Sequence, residues 1–445
     1  MRVSPMIKML LSITALTTLS AGALFAQDIS GDWQGTLLAR QGPLRTVLKV
    51  SKSDDGGWNA LMYSIDQGPD QGGIRVTSIN LQGSTLRYSI DRMNGSYEGK
   101  LSADGTSIAG TWTLNNGPRQ LNFQRPTKET AWTVDSSIHT VKFITAEAGI
   151  KLEVLDWGGS GRPLVLLAGL GNSVHIFDSF ADKLIATYHV YGITRRGFGA
   201  SSSPTPANGN YSADRLGDDV LAVIDALKLN RPVLVGHSIA GEELSSVGTR
   251  HPEKVAGLIY LDAGFPYAYY DASRGDLLLD TIDLRRKLDL MMPGVGPPQN
   301  FKEFIQELLQ TSLPRFEKDL QDQQQALQLT PNQSPGTIVP PKPTRVLDPG
   351  DAIIAGELEY TEIKCPVLAI FAVPHDLGAT FKDNPTVRAA LQADDLAQTT
   401  AQSKSFEAGI PSAHVVRLPN ASHYVFLSNE SDVLREMDAF LGNLP

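Results

Sequence analysis

Ser238 stands in VLVGHSIAGEEL, Val233–Leu244, where a short apolar run meets Gly236-His237-Ser238 and then a helix-like tail. A serine between a strand and a helix can be a nucleophile if small residues lie two positions before and two after it. The chain turns so sharply there that larger side chains would collide. Gly236 and Ala240 meet that size requirement, yet the pattern G-x-S-x-G is incomplete: Ala240 holds the second glycine's place and Gly241 follows one residue late. Attack by a serine needs a base to take its proton, an acid to orient the base and N–H donors for the oxyanion. Each has to be found elsewhere in the chain.

Of the eight histidines, His189 and His414 lie inside apolar runs, His251 precedes Pro252, and His237 flanks the serine on the strand's other side. His423 differs. It sits in the turn-rich RLPNASHYVF, after the last apolar run and ahead of the final helical pattern. Two acids follow apolar runs between serine and histidine: Asp262 after AGLIYL, and Asp376 after PVLAIFA in Val373-Pro374-His375-Asp376-Leu377-Gly378. Asp262 leads into Ala263-Gly264-Phe265-Pro266 and could equally cap the chain's exit there. For the oxyanion, the N–H of Ile239 is one donor and that of Leu170, in Ala168-Gly169-Leu170-Gly171-Asn172, is the second candidate.

The elements that must hold these residues are solid apolar runs: PLVLLAG, YHVYGI at 188–193, PVLVG at 232–236, AGLIYL at 256–261, PVLAIFA at 366–372 and HVVRL at 414–418. Helical patterns at 212–229 and 431–441 separate them. Such alternation predicts a doubly wound, mostly parallel α/β sheet, with ligands bound outside the carboxyl ends of its strands. Residues 264–360 interrupt the alternation and are expected to form a lid insertion. There Asn300 and Glu303 read as a capping box, Phe301, Phe304, Ile305, Leu308 and Leu309 fall at helical spacing, and Pro314 is expected to kink or end the helix.

Residues 138–445 resemble the α/β-hydrolase superfamily with an inserted lid. The order Ser238…Asp376…His423 is similar to that family's triad. TRRGFGAS at 194–201 resembles its D-x-R-G-x-G-x-S loop with Thr194 in place of the acid, and the 168–171 loop resembles its H-G-x oxyanion loop. The resemblance favours Asp376 as the acid, in the strand position the family most often uses, with Asp262 as the alternative. It implies acyl transfer to water, most simply cleavage of a carboxylic ester of a small-molecule substrate. Amidase, lactonase and carbon–carbon hydrolase chemistry use the same triad, and a non-catalytic ligand-binding protein is a reading from another class. Serine at the nucleophile position argues against dehalogenase or epoxide hydrolase chemistry, which in this superfamily uses aspartate there. No cofactor is implied, and no metal, since spacing such as H-E-x-x-H is absent.

Upstream, residues 28–125 are short alternating segments such as TVLKV, RVTSIN, TLRYSI and SIAGTW, broken by Gly, Asn and Asp. About eight strands fit, as an antiparallel barrel or sandwich, with Trp33 and Trp112 expected to plug it. A polar linker, 126–137, follows. Residues 1–26, with Arg2 and Lys8 ahead of an apolar, small-residue stretch, read as a signal peptide. Export is therefore expected, with no stable membrane insertion after cleavage; an uncleaved anchor is the rival. The net charge of −9 over 445 residues, without a basic run, argues against nucleic acid. Cys365 is alone, so no intramolecular disulfide is possible, and the sequence leaves the oligomeric state open.

Overall fold

Apolar runs without polar alternation must be covered on both faces, and this determines the larger half of the molecule. The structure, a computed structural model, describes residues 28–445 apart from 40–41, 54–55, 65–72, 115–116, 133–138, 208, 293–298, 330–347 and 379–383. The expected signal segment therefore lies outside the described residues, as do parts of the expected linker and lid.

In chain order the N-terminal region carries β1 (Gly31–Ala39), β2 (Gly42–Lys52), β3 (Trp58–Ser64), β4 (Ile74–Arg75), β5 (Ser78–Gln82), β6 (Thr85–Ile90), β7 (Gly95–Leu101), β8 (Ser107–Leu114), β9 (Gly117–Gln120) and β10 (Phe123–Gln124). They form one antiparallel sheet in the order β4-β3-β2-β1-β10-β8-β7-β6-β5, with β9 on β8. RVTSIN, read as one strand, is split between β4 and β5. Across the split, Val76 N–H donates to Ala60 O on β3 (3.0 Å) and Thr77 N–H to Ser89 O on β6 (2.7 Å). These bonds draw the two ends of the sheet together into a barrel-like curl. Inside, Trp33, Trp112, Tyr88, Tyr97 and Phe123 are buried, and the Trp33 indole N–H donates to Ile29 O at 2.9 Å. Both tryptophans are core-filling.

The second sheet consists of β11 (Thr140–Glu147), β12 (Ile150–Gly158), β13 (Pro163–Leu167), β14 (His189–Ile193), β15 (Val233–His237), β16 (Gly257–Leu261), β17 (Val367–Ala372) and β18 (Ala413–Leu418), in the order β11-β12-β14-β13-β15-β16-β17-β18. β12 pairs antiparallel with β11 and β14, and the strands from β14 to β18 run parallel. Alternate residues feed two cores. Leu164, Leu166, Val233, Val235, Ile259 and Ile370 pack with Phe177, Phe180, Phe426 and Met437, near α1 (Asp178–Leu184) and the C-terminal helices. Val165, Leu234, Leu258 and Val367 pack with Val220 and Val223 on α2 (Ala213–Leu227), Leu244 and Val247 on α3 (Gly241–Arg250), and Phe406.

β13 lies between β14 and β15, so consecutive connections leave it in opposite directions. The crevice at the carboxyl ends of β13 and β15 is the switch point where such sheets bind ligands. Between β16 and β17 run α4 (Leu277–Asp289), α5 (Phe301–Glu307), α6 (Leu313–Leu329) and α7 (Pro349–Ile354). Asn300 makes no side-chain cap on α5. Pro314 does not break the helix either: a π-turn at Leu308–Ser312 joins α5 to α6, and Pro314 sits in α6's first turn, where a missing N–H is tolerated. After β17 come α8 (Pro385–Gly409), α9 (Val425–Ser428) and α10 (Glu430–Gly442). Among the described residues no helix is long and apolar enough to cross a membrane.

Candidate active site

β15 ends at His237, and Ser238 turns the chain with φ +54°, in the left-handed region that non-glycine residues seldom occupy. A Cβ at Gly236 would lie 3.1 Å from the Ala240 Cβ and 2.8 Å from Leu244 Cδ1, so the elbow needs its first glycine. The late glycine has another cause. A Cβ at Gly241 would fall 2.2 Å from the Ala263 carbonyl oxygen, so Gly241 lets the loop after β16 press against α3.

The 168–172 loop lies on the elbow. A Cβ at Gly169 would be 2.7 Å from His237 Nδ1 and 3.2 Å from Ser238 Cβ. The Ala168 carbonyl is held by Arg195 Nη2 at 2.9 Å, and Arg195 is paired in turn with Glu243 (Nη2–Oε2 3.1 Å, with a second contact from Nε to Oε1). This buried pair fixes the peptide leading into Gly169-Leu170. Thr194, in the acid's place of the 194–201 loop, accepts from Val174 N–H through Oγ1 at 3.1 Å. Arg196 Nε and Nη2 grip Asp219 at 2.6 Å each.

His423 Nδ1 donates to Asp262 Oδ2 at 2.7 Å. Asp262 is almost wholly buried, and its Oδ1 accepts from Ala372 N–H at 2.9 Å. Asp376, expected to be the acid, is not brought to the histidine. Its side chain is about half exposed and accepts from Gly378 N–H at 2.9 Å, with Arg388 3.9 Å away. The backbone gives the reason. His375 extends β17 by a bridge to Ala421, and Asp376 N–H donates to Ala421 O at 2.8 Å. Successive side chains of an extended segment point to opposite sides, so His375 turns toward the site and Asp376 toward solvent.

Residues 164–436 match the profile of the Alpha/beta hydrolase family. The chain belongs to that family. Within it, the chain is 28% identical over 168 residues to human epoxide hydrolase 4, covering 36% of this chain and 44% of that protein. It is 33% identical over 115 residues to a putative carbamate hydrolase of Caulobacter segnis (26% and 43%), and 33% identical over 116 residues to a fluoroacetate dehalogenase of a Burkholderia species (26% and 38%). The chain thus spans less than half the length of these curated relatives.

Three features of this α/β-hydrolase's site carry no clear signal in the sequence. The first is His375. Its Nε2 donates to Asp262 Oδ2 and its Nδ1 to Asp395 Oδ1, both at 2.7 Å. The bond to Asp262 is the main cause that raises its pKa to about 9, against the cost of burial. Burial alone would raise Asp262, but the bonds from His375 and His423 and their charge hold it below the usual carboxylate range. The second is Tyr267, whose hydroxyl is a hydrogen-bond neighbour of Ser238; burial, then the carboxylates of Glu242 and Glu357, push its pKa well above normal. The cluster of aromatic residues in Phe265-Pro266-Tyr267 was its only signal in the sequence. The third is the Arg195–Glu243 pair, which no spacing announced.

His237 braces the backbone of His423. Its Nε2 donates to the His423 carbonyl at 3.0 Å, and burial lowers its pKa to about 3, so the ring stays neutral. A cavity of about 220 Å³ behind Gly264, lined by Tyr269, Tyr270, Asp271 and Gln402, includes none of Ser238, Asp262 and His423.

Proposed function

We propose that this protein is a serine hydrolase of carboxylic esters, with Ser238 as nucleophile, His423 as base and Asp262 as orienting acid. The observation that carries the reading is the 2.7 Å bond from His423 Nδ1 to Asp262 Oδ2, in the same crevice as the left-handed turn at Ser238. With Nδ1–H committed to Asp262, Nε2 is the basic nitrogen, the tautomer a base for Ser238 requires.

Ser238 Oγ attacks the ester carbonyl while His423 Nε2 takes its proton. The N–H groups of Ile239 and Leu170 receive the oxyanion, their loop held by Arg195. Collapse expels the alcohol, which recovers the proton from His423, and water repeats the sequence to release the acid. Epoxide opening or dehalogenation through a covalent ester would need a carboxylate at position 238. The segment 1–26 supports a further part of the proposal, that the enzyme is exported.

The experiment is fluorophosphonate labelling of the full chain followed by peptide mass spectrometry, with hydrolysis of a p-nitrophenyl ester in parallel. Label on Ser238 and a ~10⁴–10⁶-fold loss of turnover in Ser238→Ala are expected. An unlabelled Ser238, or a folded Ser238→Ala that still turns over the ester, rejects the reading.

A further inference from the structure

At the turn just after the oxyanion loop in sequence lies a second cluster that the triad does not use. His139, just before β11, and His175, in the turn Val174–Phe177, both face Asp178, the first residue of α1. His139 Nδ1 is 3.2 Å from Asp178 Oδ1 and His175 Nδ1 is 3.2 Å from Asp178 Oδ2. The two imidazoles meet edge to face with centroids 5.0 Å apart. All three side chains are largely buried, and His139 comes from a segment far in sequence from the other two.

We propose that His139, His175 and Asp178 form a divalent transition-metal site with the donor set of zinc, fastening the start of β11 to the turn that follows Gly169 and Leu170. One donor atom from each residue lies within 4.8 Å of the others. Donors of a tetrahedral zinc site with bonds of about 2.0–2.1 Å lie about 3.3 Å apart, so the three groups would draw together on a bound ion.

The surroundings have the character of a metal's outer shell. The other nitrogen of His175, Nε2, faces Glu153 Oε1 at 3.6 Å, the carboxylate–histidine arrangement that orients a ligating imidazole and strengthens it as a donor. The Trp157 indole N–H donates to Asp178 Oδ1 at 2.8 Å and fixes the carboxylate. Two buried carboxylates, Glu153 and Asp178, flank His175 and place negative charge there that a divalent cation offsets. The sequence did not announce the site because His139 and the His175-x-x-Asp178 pair come from different elements.

The full chain, produced in zinc-supplemented medium and dialysed, is expected to retain about one zinc per chain by elemental analysis. EDTA should lower its Tm by roughly 5 °C. Both effects should be lost in His139→Ala and, as a check against a folding defect in one variant, in His175→Gln. Cobalt loading should give a visible d–d band in the wild type and none in the variants. Absence of bound metal with an EDTA-insensitive Tm overturns the proposal, leaving Asp178 as a plain acceptor for three ring N–H groups. Metal kept in both variants but lost in His375→Ala also overturns it, by placing the ion at the triad cluster.

Discussion

The loops after β16 and β17 leave neighbouring parallel strands at the same edge of the sheet, and each offers one aspartate close to its start. They meet opposite fates. Asp262 turns with φ +47°, its N–H donates to Ile370 O at 2.7 Å, and its carboxylate lies under β17, receiving Ala372 N–H and two imidazoles. Asp376 sits at the end of an extended pair and faces water. Both lie between Ser238 and His423 in chain order, and both follow a buried strand at the same sheet edge. What separates them is the direction of one side chain and the backbone donors that greet it.

The sharpest way to break that contrast is to neutralise each acid. Asp262→Asn presents His423 with a donor in place of an acceptor and disfavours the working tautomer. It should lose ~10⁴-fold in kcat, measured by steady-state ester hydrolysis beside circular dichroism. A fully active Asp262→Asn would end the assignment. Next in size is Gly264→Ala. A Cβ there would fall 2.2 Å from the buried Phe371 ring, so the ring or the loop after β16 must shift. A loss of about 1–3 kcal/mol is expected, read as a fall in the denaturation midpoint with a drop in kcat.

His375→Gln keeps a donor beside Asp262 but removes the charge. The His375 cation helps to hold the Asp262 carboxylate ionised for His423, so its loss should lower kcat, read by steady-state ester hydrolysis. Asp262, Asp395 and His423 are the titratable groups facing it. Its folded value of about 9 exceeds the unfolded one of ~6.5. The stabilisation it gives is therefore complete below about pH 6.5, shrinks as pH rises and is gone above about pH 9. Wild-type Tm should decline across that window and the variant's should not. Smallest of all, Asp376→Asn should leave kcat unchanged and stability within about 0.5 kcal/mol. A dead Asp376→Asn would restore the chain-order reading.

Much of the architecture was legible. PLVLLAG, PVLVG, AGLIYL and PVLAIFA could only be doubly covered strands, and each is one. The elbow and the histidine loop followed from where those runs end. The acid did not. Sequence located two loops, but which residue of the 375–376 pair faces inward depends on the backbone bridge to Ala421, a contact 46 residues away in sequence. α8 was also missed, for a physical reason: among its side chains only Thr399, Ser403 and Phe406 are buried, so it carries no apolar stripe to announce a helix.

Ala240, the residue that spoils the G-x-S-x-G pattern, has φ −62° and ψ −12°, ordinary right-handed helical angles. Alanine adopts them freely, whereas a glycine there would wander over far more conformations in the unfolded chain. Restricting that ensemble is worth about 0.4–1 kcal/mol to the folded state. Two residues earlier, the left-handed Ser238 costs about 1–2 kcal/mol. The departure from the pattern thus offsets part of the strain that exposes the serine, and it does so through the disordered chain, where no contact in the folded protein would reveal it.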